Sequence, residues 1–134
     1  MQVTLIIALV LHILSGVFWA GTTFVLARTG GYHADRFFRP QMGAAAITVV
    51  TGGVLWFLLH RGAAGIQEHL LAAGAVSALL AASVQGAAAP ALRQAATIGG
   101  SGDFVPSHRV AVSQRIAAAL LAIAVVCMAS ARYA

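Results

Sequence analysis

Charged residues fall in short stretches, and between them lie four apolar blocks. Residues 3–27, 42–59, 70–92 and 116–131 contain no Asp, Glu, Lys or Arg. Each block is near or above the ~17–25 residues needed to cross a hydrocarbon core of about 30 Å, the last by taking in residues 110–114. In lipid only α-helices and closed barrels satisfy every backbone N–H and C=O. Alternation of apolar and polar residues is absent, which excludes a barrel. The pattern predicts an all-α integral membrane four-helix bundle in one domain, with helices over about residues 3–28, 41–60, 66–92 and 108–132.

The breaks between blocks carry recognisable signals. Thr29-Gly30-Gly31 ends the first helix, and Tyr32, Phe37 and Phe38 stand among arginines in a first loop expected to lie in the headgroup layer. Pro40 is expected to open helix two, Arg61-Gly62 to stop it, and Pro90 to kink or end helix three. Pro106-Ser107 precedes helix four after a stretch rich in Gly and Ser. Along helix three, Gly74, Ala78, Ala82 and Gly86 recur every four residues, a ridge of small side chains that lets two helices approach closely. It serves packing within the bundle or a homodimer face.

Composition narrows the class. Of 134 residues, 60% are hydrophobic and 8% charged, outside the soluble globular range. The first block lacks a basic leader and is longer than a signal-peptide core, so a retained helix is expected. A single cysteine, Cys127, excludes an internal disulfide or a CxxC motif. The net charge of +5 comes from arginine with no lysine, and the arginines are spread over loops, which argues against nucleic acid and for anionic headgroups. Arg28, Arg36, Arg39, Arg93, Arg109 and Arg115 flank loops one and three, against Arg61 and Arg132 on the other side. The positive-inside rule then places loops one and three in the cytoplasm and both termini outside, in a multi-pass protein of the cell inner (plasma) membrane.

Candidate chemistry rests on histidine. His12 lies inside helix one, about 13 Å from Val3 at 1.5 Å per residue, a depth at which an ionisable group is a functional hypothesis. His12, Gly16, Trp19 and Thr23 share one helical face. A glycine beside the histidine leaves space for a flat ring, and imidazole is a common axial ligand of haem iron. The competing readings are a hydrogen bond from His12 to Thr48 or Thr51, or another metal. His60 and His69 lie near the rim on the same side of the membrane as His12, whereas His33 and His108 are on the opposite loops. Arg61 is the candidate partner of a propionate. Arg115 is expected to snorkel, Glu68 to start helix three, and Cys127-Met128 are soft ligands on different faces.

His12, Trp19, Arg28 and Tyr32-His33-Ala34-Asp35 resemble the start of the HemJ family, haem b membrane proteins with protoporphyrinogen oxidase activity; His12, Trp19 and Gly21 of helix one also resemble the copper-resistance protein D type of membrane domain. Arg115 and the run Met128 to Tyr133 look like four-helix relatives of that group. The specific match covers about 30 residues, and the rest is helix count and order. The resemblance implies that His12 is a haem ligand and that His69 stands where the family has a lysine, as a second imidazole or as the loss of a catalytic group. Pro106-Ser107-His108-Arg109 replaces the family's Asn-Glu-x-Pro stretch. Both departures weigh against the oxidase reaction and leave haem binding.

The expectation is a membrane-embedded b-type haem protein with a redox role, using His12 and His69, with His60 as fallback and Gly16, Trp19 and Arg61 around the ring. If both helices start level, His12 and His69 differ in height by about 9 Å, a gap that protrusion of the longer helix one narrows. A quinone or a redox protein would be its partner. The rivals are a copper or other metal-ion binding or transport protein using His12, His60 and His69, and a cofactor-free accessory subunit.

Overall fold

Large and small side chains are arranged inside out. The computed structural model describes residues 1–59, 62, 65–98 and 105–134, and every regular element among them is helical. The main core cluster holds Trp19 and Leu121 with Ala44, Ala45, Ala78, Ala81, Ala117 and Ala124. Ile6, Ile7, Leu14, Val17, Val50, Phe57, Leu80, Ile123 and Val126 are exposed. In water so broad an apolar surface would aggregate; against lipid tails it is the expected outer face. The helices are α1 (Gln2–Arg28), α2 (Ala34–Leu59), α3 (Ile66–Ala87), α4 (Ala89–Ile98) and α5 (His108–Ala131). Four spans, with α3 and α4 counted as one over Ile66–Ala95, are long and apolar enough to cross a membrane. The protein is a multi-pass four-helix bundle.

Around the bundle α1 packs along α2 and α5, and α3 packs along α5, while α2 and α3 meet only sparsely; α1 and α3 face each other across the diagonal. Successive spans alternate direction. One end, here the terminal end, carries both termini and the connection from α2 to α3. The arginine-rich end carries the α1–α2 turn, α4 and the start of α5.

The first loop is shorter than the sequence pattern predicted. Helix two begins at Ala34 rather than near residue 41, so Phe37 and Phe38 are helical. The cause is a tight C-terminal cap on α1: Gly30 takes φ +68°, and the Gly31 N–H donates to the Leu26 carbonyl at 2.7 Å, the six-to-one bond of a Schellman turn. His33, also at positive φ (63°), completes the reversal. Ala34, Phe38 and Gln41 then face inward at helical spacing, with Arg36 and Arg39 exposed. Pro40 sits inside α2 rather than opening it, and removes a single N–H from the ladder.

Pro90 acts as a breaker. Helix α3 stops at Ala87 and α4 restarts at Ala89, with Pro90 in its first turn, where a missing N–H breaks no helical bond. Leu92 of α4 closes a second small cluster with Leu26, Ala34 and Val110. Helix α5 starts where predicted, capped by Ser107, whose Oγ accepts from the Val110 N–H at 3.4 Å. The small-residue ridge is used within the chain: a Cβ on Gly74 would lie 3.2 Å from the Ala124 carbonyl oxygen of α5, and Ala78 is in the core. Gly86 has open space around it.

Candidate functional site

Towards the terminal end, α1 and α2 are joined by a histidine. His12 Nδ1 lies 2.9 Å from the Thr48 carbonyl oxygen and 3.2 Å from Thr51 Oγ1. Both threonine hydroxyls also bond backward along α2, Thr48 to the Ala44 carbonyl at 2.8 Å and Thr51 to the Ile47 carbonyl at 2.6 Å. A carbonyl can only accept, so Nδ1 carries the proton. In the neutral ring Nε2 is then an acceptor, and it makes no hydrogen bond among the described residues. Gly52 makes room for the ring, since a Cβ there would stand 3.0 Å from His12 Cε1.

His12 borders a cavity of about 460 Å³ where α2 and α3 part. Its lining is apolar apart from His12 and Thr48, and Val49, Trp56, Ala75 and Leu79 are exposed, so it opens on the apolar flank of the bundle. Met128 of α5 lines the same cavity. Side chains tilt toward the N-terminus of their helix. Because α1 and α5 are antiparallel, this tilt is opposite for His12 and Met128, and both side chains border the cavity. Sequence spacing on adjacent positions could not reveal this, because it depends on which helices are neighbours.

The other candidates are dispersed. His69 is exposed in the first turn of α3 and is absent from the cavity lining. His60 and Arg61 lie outside the described residues. The space over Gly16 is taken by Thr48, whose Cγ2 would be 3.7 Å from an added Cβ. Trp19 is buried in the core rather than beside the cavity. Glu68 accepts from the Gly65 backbone N–H and so caps its own helix. Arg115 is exposed. No group of three His, Cys, Asp or Glu converges among the described residues.

A second polar assembly escaped the reading of charges. One to two helical turns before the arginine-rich end, Trp19 Nε1–H donates to Gln85 Oε1 at 2.8 Å. Gln85 Nε2 donates to Thr23 Oγ1 at 3.0 Å and to Gln114 Oε1 at 3.2 Å. Gln41 Nε2 donates to Thr23 Oγ1 at 2.8 Å, and Thr23 donates in turn to the Trp19 carbonyl at 2.7 Å. All five side chains are essentially inaccessible, and they come from α1, α2, α3 and α5. The indole, a donor only, fixes which way the Gln85 amide points, and the rest of the chain follows. Gln41 Oε1 is the one buried side-chain oxygen without a donor among the described residues. The signal was present as uncharged amides inside apolar spans.

Comparison of the chain with protein-family models, curated proteins and solved structures gives no match.

Proposed function

We propose that this protein binds one b-type haem in the cavity beside His12 and has a redox role, in electron transfer or in oxidation of a small molecule. The observation that carries the reading is the anchored Nδ1–H of His12, which leaves Nε2 as an acceptor beside an apolar cavity. A histidine ligand held by a carbonyl through its other nitrogen is the usual arrangement at a metal. The cavity volume of about 460 Å³ lies within the ~300–1,000 Å³ range of ligand pockets. Bound there, haem would supply a one-electron couple; the chain supplies the ligand, the exclusion of water and the apolar walls. The likeness of residues 12–35 to the HemJ family adds support.

Met128 is the second donor in this reading, because it shares the cavity and His69 does not. The arginine distribution puts the terminal end, and with it the cavity, on the outer side of an inner membrane. The opening onto the apolar flank suits a lipid-soluble quinol, whose O–H could also donate to Nε2, whereas a quinone carbonyl could not accept from it. The same donor pair, imidazole and thioether, favours copper(I) as the second reading.

An absorption spectrum of the detergent-purified protein tests the proposal. A Soret band with sharp reduced α and β bands is expected. Bound copper without a Soret band selects the second reading, and a protein expressed with ample haem and copper that holds neither overturns both.

A further inference from the structure

At the arginine-rich end the break at Ala88 leaves another cavity, of about 350 Å³. Its walls are two helical stripes, Val84, Ala87, Ala88 and Ala91 on one side and Arg109, Val112, Ser113 and Ile116 on the other. The second stripe runs at offsets of three, four and seven along one face of α5, while the first crosses the break from the end of α3 into α4. Chemistry is graded along the site. Ile116 lies eight residues, or about 12 Å, deeper in the span than His108, and the interior wall is alanine, valine and isoleucine. Ser113 adds no unmet polar group, since its hydroxyl donates to the Val110 carbonyl at 2.8 Å. His108 and Arg109 stand exposed at the mouth, and among the described residues no acidic side chain is in the lining.

We infer that this cavity is a binding site for an anionic phospholipid, with one acyl chain along the alanine wall and the phosphate against Arg109 and His108. The order of the site, apolar within the span and cationic at its end, is the order of the amphiphile itself. Basic pockets between spans bind such headgroups. A free phosphate would satisfy the mouth and leave the apolar wall without purpose. This inference is independent of the haem reading, because the cavity is at the opposite end of the bundle from His12.

The test uses the full chain reconstituted in phosphatidylcholine with a minor fraction of phosphatidylglycerol, then extracted gently and weighed intact with its retained lipid. Wild type should retain phosphatidylglycerol out of proportion to its share. Arg109→Ala should reduce that enrichment about fivefold, the effect of one arginine near a charged headgroup. Arg115→Ala, an exposed arginine outside the cavity, should not. Ala87→Leu should also lower retention, by occupying the wall without touching a charge, while intact α-helical circular dichroism shows that the bundle is folded. Equal losses in Arg109→Ala and Arg115→Ala would mean nonspecific attraction and overturn the site. So would no enrichment in wild type, or full displacement of the lipid by millimolar inorganic phosphate.

Discussion

The indole N–H of Trp19 donates to the side-chain oxygen of Gln85 at 2.8 Å, across the diagonal of the bundle. Helices α1 and α3 pack little against each other directly, so this bond and the Gln85–Thr23 bond that follows it join two elements that van der Waals contact leaves apart. The tie is polar because the core between them is mostly alanine and has little bulk to set the register of four spans.

Removing either end should therefore be costly and coupled. Trp19→Phe leaves the Gln85 oxygen without a donor, and Gln85→Leu leaves the indole N–H without an acceptor, each at about 1–3 kcal/mol. Unfolding in mixed micelles should give a coupling of about 0.6 kcal/mol between them, the mean for bonds between membrane helices, and not above about 1.7 kcal/mol, the maximum. Strict additivity would show that the bond contributes nothing. Gln41→Leu should cost less than Gln85→Leu, because it also removes the buried oxygen that no donor satisfies.

The small-residue ridge should respond unequally along its length. A Cβ on Gly74 meets the Ala124 carbonyl oxygen at 3.2 Å, whereas Gly86 has nothing within 4 Å. Gly74→Ala is expected to lower the unfolding midpoint, in line with an overpacking cost of about 1–3 kcal/mol. Gly86→Ala should be neutral or stabilising by about 0.5–1 kcal/mol through helix propensity. Equal effects in a thermal melt would argue against the close α3–α5 approach.

At the cavity, His12→Ala should abolish haem retention while membrane insertion persists. Gly52→Ala keeps the ligand but places a methyl 3.0 Å from His12 Cε1. It should displace the ring from the Thr48 carbonyl and weaken haem affinity about 10–100-fold, as loss of a supporting contact does at metal sites. Met128→Ala should convert a low-spin spectrum to high-spin, and His69→Ala should leave it unchanged. A wild-type Soret band in His12→Ala would remove the assignment.

Orientation is open to a direct check. Reporter fusions at Ser101 should be active on the cytoplasmic side and fusions after Ala134 on the outer side, following the arginine count. A cytoplasmic C-terminus would reverse the bundle and put the His12 cavity on the inner face.

The four spans were legible because bilayer thickness sets the length of an apolar run, and Pro90 and Ser107 marked their boundaries correctly. The first loop was misjudged because Arg36, Arg39 and two phenylalanines suggest an interfacial segment. Only the inward spacing of Ala34, Phe38 and Gln41 shows that the helix is already under way. His12 stood out by depth alone, and its tie to Thr48 was one of the arrangements anticipated for it. What a linear pattern could not supply was lateral placement, which brings Met128 to the cavity and leaves His69 outside. The glutamines carry no formal charge, so the pattern of charged residues does not reveal them, although Thr23, Gln41, Gln85 and Gln114 occupy a similar depth in their four spans.

The uneven distribution of polar ties has a mechanical consequence. The amide cluster clamps all four spans near the arginine-rich end, while α2 and α3 meet sparsely and both border the His12 cavity. The bundle is thus braced like a clip, held by the amide cluster at one end and, for α2 and α3, by the chain that joins them at the other. A guest entering from the membrane could part α2 from α3 between those two holds without disturbing the amide cluster. Amide exchange should be faster over residues 52–59 and 66–72 than over residues 41–48, and occupation of the cavity should narrow that difference.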